Sequence, residues 1–560
     1  MSTNNDFDCI IIGHNDMEFS LVHEQLKRIG KHSGAYIDLK ANSVRVGGER
    51  ITYMDLLNRV LKQSTGRDHG LYACELPHLG AAYLKNFLYK RNFNVEVVNS
   101  FNYNQERLKE LLAQSPRAVA ITTTLYVEYS PIVEIVEFIR KHNPDTLIIV
   151  GGPHVFSICS DRDEETQDYI FREIGADIYI FDSQGELTLS RILTALRSAK
   201  KTPDLSGIPN LTYTFDNDQF HRTPRLVEDN DMDENSIDWS HFERDYYVPT
   251  VQMRTARSCA FKCAFCRYPA FAGSLNLTSL NVVERELRLL HSSGVKNVVF
   301  IDDTFNVPLP RFKELCRMMI RNRFGFNWFS FFRCSNADDE AFDLMEKSGC
   351  KGVFLGIESG DPRILKNMNK FADVERYRYG IQKLKERDIV TFATIIVGFP
   401  GENEESIRNT TNFLEETSVM FYRLELYYHY TNVPIHKEAE KFGIRGTGYS
   451  WKHNSMDWQQ AAGHLQEMYK TISGPCILPG YMFDFWSIPY LMGKGLTVEQ
   501  MKGFAAAAQE LLIQGFDDST VISTERQDQR MRDLFRAPSL ASAHLLETPP
   551  GLEAPRIRFA

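Results

Sequence analysis

The first two hundred residues alternate short apolar runs with segments of helical periodicity. Runs rich in Val and Ile stand at 8–13, 94–99, 117–123, 146–150 and 176–181, with helix-length segments at 79–90, 105–113, 131–141 and 186–197. Strands this apolar are buried on both faces, as in an open parallel sheet covered by helices. The pattern predicts an α/β fold with a Rossmann-like domain over 1–205, whose ligands bind at the carboxyl ends of the strands.

An acidic, aperiodic stretch separates this series from a second one. We expect a linker over 206–248, followed by strands near 251–255, 297–301, 328–332, 352–356, 390–397 and 420–428. These β/α units predict a partial (β/α)6 barrel of the TIM type over 249–430, whose chemistry, by analogy with complete barrels, belongs at the C-terminal strand ends. Residues 431–519 are predicted to be mostly helical, and 520–560, with little periodicity, to form a loosely ordered tail.

The composition is that of an ordinary globular protein with several domains. Of its 560 residues 43% are apolar and 24% charged, the formal charge is −9, and no basic block could follow a phosphate backbone. The first residues do not resemble a secretory leader, and no run reaches the roughly 18 apolar residues of a membrane span. We therefore expect a cytoplasmic protein with neither nucleic acid nor membrane as a partner.

The cysteines give the first chemical clue. Ten are too few for a disulfide scaffold, yet Cys259, Cys263 and Cys266 form C-x3-C-x2-C just after the first barrel strand. Three thiolates on one loop can hold three irons of a [4Fe-4S] cluster and leave the fourth open to a small chelating molecule. The alternative is a zinc knot or three unrelated buried thiols, but structural zinc takes four ligands, and no fourth Cys or His has the usual spacing.

This motif, with an aromatic residue before its third cysteine, resembles the radical SAM superfamily. Polar residues also follow the later strands, where that family binds S-adenosylmethionine (SAM). The resemblance implies that Asp302 or Asp303 receives the SAM ammonium and that Glu358 and Ser359 meet the ribose or amino-acid part. The full set of implied SAM contacts is Phe265, Asp302, Asp303, Arg333, Glu358, Ser359, Gly398, Phe399 and Pro400. Taken singly, each aspartate could also be a helix N-cap. The sequence Gly398–Phe399–Pro400–Gly401 could likewise be an ordinary turn.

The N-terminal sheet resembles the cobalamin-binding domain found ahead of many radical SAM barrels. Its small hydroxyl and glycine residues would let backbone approach a bulky corrin tail. The implied cobalamin contacts are Thr122, Thr123, Thr124, Leu125, Tyr126, Gly151, Gly152, Pro153, Gln184, Gly185 and Glu186. The alternative is a cofactor-free Rossmann-like sheet. The Asp-x-His-x-x-Gly pattern that supplies a cobalt ligand elsewhere is absent, and neither His14 nor His154 fits it, so we assign no cobalt ligand.

The opening strand, the 122–126 loop, the 151–153 turn and residues 487–495 look closest to the phosphinothricin-type P-methyltransferases among cobalamin-dependent radical SAM enzymes. The resemblance implies methyl transfer from SAM, through methylcobalamin, to phosphinate phosphorus or an sp3 carbon in natural-product or antibiotic biosynthesis. One SAM would yield a 5'-deoxyadenosyl radical that abstracts hydrogen from substrate, and the second would methylate cob(I)alamin. An electron donor such as flavodoxin or ferredoxin is implied, and we assign no catalytic side chain.

Other functions stay open at this point. A relative of this architecture could perform cyclisation or rearrangement without methyl transfer, and a redox or light sensor could bind the same cofactors. An RNA methylthiotransferase is disfavoured, because Cys9, Cys74 and Cys159 are too far apart to form its second cluster site. The substrate could be a free small molecule, a carrier-bound chain or a peptide. Aromatic and cationic residues such as Tyr427, His429, Trp451 and His453 either face the barrel mouth or pack the core.

Overall fold

The computed structural model describes residues 7–15, 18–124, 126, 128–199, 202–481, 483–517 and 525–535. The strands of the N-terminal half are β1 (Cys9–His14), β2 (Val44–Val46), β3 (Glu49–Ile51), β4 (Val95–Ser100), β5 (Ala118–Thr122), β6 (Leu147–Gly151), β7 (Ile178–Ile180), β8 (Leu211–Tyr213) and β9 (His221–Arg222). Its helices are α1 (Phe19–Ile29), α2 (Gly34–Ala41), α3 (Tyr53–Thr65), α4 (Leu79–Tyr89), α5 (Gln105–Leu112), α6 (Ser130–His142), α7 (Pro153–Asp161), α8 (Glu164–Ile174) and α9 (Glu186–Ser198).

The predicted N-terminal sheet is present, in the order β4-β1-β5-β6-β7-β8-β9. The first five strands run parallel, and β1 pairs with β4 and β5, so that Cys9 is opposite both Val95 and Ala118. One apolar cluster covers each face of the sheet, as expected for strands buried on both sides. The short strands β8 and β9 extend the sheet in antiparallel direction, so residues 211–213 and 221–222 are strands where the sequence predicted linker.

The second half of the chain contains the strands β10 (Thr250–Met253), β11 (Ala256–Arg257), β12 (Asn276–Leu277), β13 (Asn297–Phe300), β14 (Asn327–Phe331), β15 (Cys350–Glu358), β16 (Val390–Val397), β17 (Phe421–Leu426), β18 (Arg445–Thr447), β19 (Ser450–Lys452) and β20 (Cys476–Ile477). Its helices are α10 (Arg244–Tyr247), α11 (Tyr268–Ala272), α12 (Leu280–Ser292), α13 (Leu309–Asn322), α14 (Asp339–Ser348), α15 (Pro362–Asn367), α16 (Val374–Lys385), α17 (Glu404–Thr417), α18 (Ala439–Phe442), α19 (Trp458–Thr471), α20 (Ser487–Gly493), α21 (Val498–Gln514) and α22 (Glu525–Leu534).

The predicted partial barrel is also present. Its sheet has the order β10-β13-β14-β15-β16-β17-β20, all parallel, so the six predicted strands occur in chain order and the short β20 adds to the last of them. The α/β fold class is therefore confirmed, with an N-terminal sheet domain, a partial barrel and a C-terminal region that is mainly helical. The carboxyl ends of the barrel strands carry the candidate site.

Residues 19–65 lie outside the sheet domain to which the sequence assigned them. Helices α2 and α3 pack in the same apolar cluster as the barrel and α21, and the Tyr53 ring meets Phe504 edge-on at 5.9 Å. Lys40 Nζ donates to Phe516 O at 3.2 Å, and Asn42 Oδ1 accepts from Gly480 N at 2.6 Å. This segment therefore leaves the N-terminal sheet after β1, packs against the C-terminal region, and returns at α4.

The tail predicted to be loosely ordered is described only at 525–535, where it forms α22. Met531 of this helix is buried in the main apolar cluster, and Gln527 Nε2 donates to Glu510 on α21 at 2.9 Å. Residues 525–535 therefore form a packed helix and its end, where the sequence predicted a loosely ordered tail. The remainder of 520–560 lies outside the described residues. Among the helices of the described part, none is long and apolar enough to cross a membrane.

Candidate functional site

The three clustered cysteines lie on one loop between β11 and α11. Two backbone hydrogen bonds fix the middle of the loop: Ala264 N donates to Met368 O at 2.8 Å, and Ile435 N donates to Ala264 O at 2.9 Å. Before the loop, β11 pairs with β12 in antiparallel register. The loop is therefore held from both sides above the carboxyl end of β10, where the sequence predicted it.

The three thiols are free and lie close enough to influence one another electrostatically. Cys263 is buried, and Cys259 and Cys266 are half-buried. Burial raises the pKa of Cys266 to about 11, and Cys263 and Cys259 add to that rise. Burial likewise raises the pKa of Cys263, while Lys370 and Arg333 oppose the rise. Thiols in such surroundings become thiolates when a metal replaces their protons, so this loop suits a cluster.

Within the part of the chain that the structure describes, no three His, Cys, Asp or Glu side chains are placed to hold a single ion. The thiolates of a [4Fe-4S] cube bind three different irons, so they stand farther apart than the ligands of one ion.

Asp302 and Asp303 follow β13 but have different environments. Asp302 is buried, and its carboxylate accepts hydrogen bonds from Thr255 N at 2.6 Å, Thr255 Oγ1 at 2.6 Å and Ala256 N at 3.0 Å. It thereby ties the end of β10 to β13, and both of its oxygens already accept hydrogen bonds from the protein. Asp303 is open to solvent within a recess, where desolvation and the neighbouring Asp302 raise its pKa to about 7. Of the two candidates, Asp303 is the more exposed, and which of them meets SAM stays a prediction.

Arg333, after β14, contacts the cysteine loop directly. Its guanidinium lies 3.7 Å from the centre of the Phe261 ring, close enough for a cation–π interaction. The side chain is buried, yet its Nη2 has no hydrogen-bond partner among the described residues. A buried guanidinium NH without an acceptor is costly, so the site suits a ligand that brings a carboxylate or carbonyl oxygen.

At the end of β15, Glu358 lies beside the cysteine loop, whereas the side chain of Ser359 does not. Glu358 has φ +66°, and its Oε1 accepts from Lys370 Nζ at 2.9 Å; this Nζ lies 5.5 Å from the Phe265 ring centre. Ser359 points elsewhere, because its buried hydroxyl lies 3.2 Å from Thr410 Oγ1 and accepts from Asp361 N at 3.1 Å. Ser359 therefore shapes the turn into α15, and its contact with SAM stays a prediction.

The Gly398–Phe399–Pro400 turn after β16 lies against the cysteine loop through aromatic contacts. Phe399 is buried and meets Phe265 edge-on at 6.4 Å. Gly398 has φ +96°, and a Cβ there would lie 2.6 Å from the Trp451 ring, so glycine is required. Glu402 Oε2 accepts from Gly398 N at 2.6 Å and from Phe399 N at 3.3 Å, which fixes the turn from below.

Several residues of the site had no clear signal in the sequence. Lys370 lies over Phe265, and Arg333 over Phe261, only because distant segments meet at the loop, and Tyr268 approaches Asp303 through the turn of α11. Trp451 is buried and donates to Tyr427 O at 2.7 Å, and His453 Nε2 lies 3.2 Å from Gly398 O. These two aromatic residues therefore pack beneath the turn instead of facing the barrel mouth.

The loops predicted to hold cobalamin meet at the carboxyl end of the N-terminal sheet. Thr122 Oγ1 donates to Gly13 O at 2.9 Å, and Thr123 Oγ1 donates to Gly151 O at 3.0 Å and accepts from His154 N at 3.2 Å. Gly152 has φ +116°, and a Cβ there would lie 2.9 Å from Thr123 Oγ1. These contacts leave the side chain of Thr124 and the glycine backbone at the edge of the sheet, which is the surface a bulky corrin needs.

The other predicted cobalamin contacts are placed differently. Gly151, Pro153 and the half-buried Tyr126 belong to the same edge of the sheet, whereas Leu125 lies outside the described residues. Gln184, Gly185 and Glu186 turn towards the barrel: Gln184 Oε1 accepts from Arg257 Nη1 at 2.7 Å, and Glu186 Oε2 accepts from Asn230 Nδ2 at 3.2 Å. Gln184 thus joins the sheet domain to Arg257, just before the cysteine loop, and the contact of residues 184–186 with cobalamin stays a prediction.

Two histidines, His14 and His154, lie near this edge of the sheet. His14 meets His78 edge-on at 4.5 Å, and burial lowers the pKa of His14 well below its ordinary value. Burial, with Arg267 nearby, lowers the pKa of His154 to about 4, and its buried Nε2 has no hydrogen-bond partner among the described residues. Both rings are therefore neutral near pH 7.

The sheet domain contacts the cysteine loop at a second place, through α7. The Phe156 ring meets Phe271 of α11 edge-on at 4.6 Å. Asp161, at the end of α7, accepts from Asn432 Nδ2 at 2.8 Å and lies 3.8 Å from Arg267, the residue after Cys266. The helix that begins at the Gly151–Pro153 turn is thus packed against the helix that follows the cysteines.

Comparisons with known proteins agree with this arrangement. The model of the radical SAM superfamily matches residues 253–414, and that of the B12 binding domain matches 72–180. An uncharacterized methyltransferase of Pyrococcus horikoshii is 26% identical over 353 residues, which are 61% of this chain and 74% of the relative. The anaerobic magnesium-protoporphyrin IX monomethyl ester cyclase of Rubrivivax gelatinosus is 24% identical over 317 residues, which are 55% of each chain.

A solved structure shares the fold over most of the chain. The radical S-adenosylmethionine methyltransferase TsrM from Kitasatospora setae superposes with a TM-score of 0.55 at 20% identity, covering 69% of this chain and 76% of that one. The fold and the site define an enzyme that joins a radical SAM barrel to a cobalamin-binding sheet. This chain contains both domains, and its cofactors are a [4Fe-4S] cluster, SAM and cobalamin.

Proposed function

We propose that the protein is a methyltransferase that moves a methyl group from SAM to an unactivated centre, either phosphinate phosphorus or an sp3 carbon. The two domains and the methyltransferase names of relatives support the reaction type. When bound, the cluster with SAM supplies radical chemistry and the corrin supplies a transferable methyl group. Neither cofactor alone serves such a substrate, because a poor nucleophile does not take a methyl group by ordinary polar transfer.

The contact between α7 and α11 carries this proposal. Helix α7 starts at the predicted cobalamin edge; its Phe156 meets Phe271 within α11, and its last residue, Asp161, lies 3.8 Å from Arg267, which directly precedes α11. The two cofactor-binding regions therefore approach one junction instead of facing separate surfaces. A substrate bound there can meet both, and the protein's task is to position it and to exclude water.

We propose the following residues for each cofactor, and their positions in the structure support the choice. Cys259, Cys263 and Cys266 hold the cluster. Asp303 accepts from the SAM ammonium, Arg333 and Glu358 meet its polar groups, and Phe265 with the 398–400 backbone lies against adenine. For cobalamin we propose Thr124 and the backbone of 151–153.

The partners of the reaction belong to the same proposal. The substrate is a small molecule, free or attached to a carrier, in a biosynthetic pathway for a natural product such as an antibiotic. The cluster takes its electron from a flavodoxin or ferredoxin, and a cytoplasmic location belongs to the same proposal. The likeness to phosphinothricin-type P-methyltransferases favours phosphorus as the acceptor.

A second function is cyclisation or rearrangement without methyl transfer, and the similarity to a protein named as a cyclase favours it. SAM labelled in its methyl group distinguishes the two in anaerobic assays with a phosphinate amino acid and with carbon acceptors. We expect 5'-deoxyadenosine, S-adenosylhomocysteine and labelled product in comparable amounts. Product with 5'-deoxyadenosine, but with neither label nor S-adenosylhomocysteine, would establish the second function instead.

A further inference from the structure

The cysteine loop has a second side, which faces away from the N-terminal sheet. Arg257 and Arg267 lie towards the sheet domain, whereas the Lys262 carbonyl accepts from Asn369 Nδ2 at 2.7 Å on the other side. Segment 366–371, which follows α15, therefore lies directly against the loop. We use the name loop-side patch for the exposed residues here, which are Ala260, Lys262, Lys366, Asn369 and Phe371.

Phe371 is the unusual member of the loop-side patch. Its side chain is 74% exposed and its backbone has φ +49°, a conformation that bulky residues rarely adopt. The ion pair of Lys370 with Glu358 on one side and the start of α16 on the other fix the turn that presents it. An exposed, bulky apolar side chain on a strained backbone does not stabilise the folded state. Such a residue is typical of a surface that a binding partner covers.

The charge around Phe371 indicates the kind of partner. Lys262 and Lys366 are exposed and form no ion pair with any residue that the structure describes, whereas Lys370 is neutralised by Glu358. Asn369 and Ala260 are neutral, so the loop-side patch is cationic on a chain whose formal charge is −9. An apolar centre with unpaired lysines around it complements an acidic protein surface.

We propose that the loop-side patch is the docking site for a small acidic flavoprotein that delivers the electron to the cluster. Lys262 is adjacent in the chain to Cys263, so a carrier docked there reaches the cluster without crossing the barrel or the sheet domain. In the step, the flavin hydroquinone loses one electron and becomes the semiquinone, and the [4Fe-4S] cluster passes from its 2+ to its 1+ state. The proposal rests on the proposed function only in requiring a reducible cluster.

The test uses the cluster-loaded full chain and a recombinant acidic flavodoxin. The variant Lys366→Glu/Phe371→Ser changes the loop-side patch but none of the residues that we assign to a cofactor. We expect its cluster reduction by flavodoxin hydroquinone, followed by anaerobic stopped-flow absorbance, to slow about tenfold or more at low salt, because steering and contact are both lost. The Kd for oxidised flavodoxin, which needs no turnover, should weaken by a similar factor.

Dithionite provides the internal control, because so small a reductant needs no docking site. Its rate of cluster reduction should be equal in the variant and the parent. The matched variant Lys351→Glu/Ile29→Ser alters an exposed lysine at the start of β15 and an exposed isoleucine of α1, and it should leave both rates unchanged. A patch variant reduced by flavodoxin as fast as the parent, or slowed equally with dithionite, overturns the proposal. Failure of the dithionite-reduced parent to cleave SAM would count against the proposed function instead.

Discussion

Gln184 Oε1 accepts a 2.7 Å hydrogen bond from Arg257 Nη1, which joins the loop before α9 to the residue that lies two positions before the first cluster cysteine. Asn230 reinforces the junction, since its N–H donates to the same Gln184 oxygen at 3.0 Å and its carbonyl accepts from Arg257 at 3.2 Å. Buried Arg257 is thus one of the residues that set the separation between the two cofactor regions, together with the contacts of α7.

Replacing this arginine should uncouple the two halves of the reaction. In Arg257→Gln we expect SAM cleavage to continue while the ratio of 5'-deoxyadenosine to methylated product rises about tenfold, because small displacements of reacting groups are costly. The exposed Arg285 on α12 provides the matched control, Arg285→Gln, which should keep the parental ratio. A readout without turnover is the magnetic coupling between cob(II)alamin and the reduced cluster, which should weaken only in Arg257→Gln; an unchanged ratio and coupling would contradict this role.

The cluster should depend on three cysteines and on no others. We expect Cys259→Ala, Cys263→Ala and Cys266→Ala each to lose the iron and the characteristic absorbance of anaerobically reconstituted protein, with the far-UV circular dichroism unchanged. Cys350→Ala is the control, because its buried thiol in β15 lies away from the loop. Retention of a full cluster in all three loop variants would remove the basis of the proposed function.

Bound cobalamin should lack a protein nitrogen ligand. His14 is paired with His78, and His154 is fixed at the start of α7, so neither belongs to a cobalt-binding motif. The electron paramagnetic resonance spectrum of cob(II)alamin on the full chain should therefore show no histidine superhyperfine splitting. Splitting that disappears in His154→Ala would identify the unpartnered Nε2 as a ligand and overturn this prediction.

Glu402 should make the protein less stable as the pH rises. Burial raises its pKa to about 8, so the folded state keeps a proton that the unfolded state releases above the ordinary value of 4.5. Its stabilising effect is complete below pH 4.5 and is lost between there and about pH 8. In Glu402→Gln, which retains an acceptor for Gly398 N, this loss should diminish by on the order of 3 kcal/mol.

Thermal unfolding midpoints of the parent and of Glu402→Gln, measured between pH 5 and pH 9, test this prediction. The range includes the raised pKa of Glu402, about 8. The two proteins should agree at the acidic end and separate towards the basic end, with the variant more stable. Parallel curves would show that the carboxyl is ionised without cost in the folded state.

Much of the fold could be predicted from the sequence, because the patterns that mark its strands and the cysteine loop lie within short stretches of the chain. The runs of Val and Ile in β1, β5 and β6 mark strands buried on both faces, and the cysteine spacing is contained in one loop. Long-range contacts could not be predicted in the same way. The sequence offers Asp302 and Asp303 as equals, and only the approach of Thr255 shows which carboxylate is already bonded. The bond of Gln184 to Arg257 likewise has no local signal, because the two residues are far apart in the chain.

Residues 19–65 pack against the C-terminal region, and this affects the order in which the chain folds during synthesis. On a ribosome, β1 and then α2 and α3 emerge long before α21, against which this segment packs. Tyr53 must therefore remain without Phe504 until nearly the whole chain has been synthesised. Domains of larger proteins usually complete folding one after another from the N-terminus, and here the first part of the chain is among the last to find its place. Expression of this enzyme should accordingly be sensitive to chaperone supply and to translation speed.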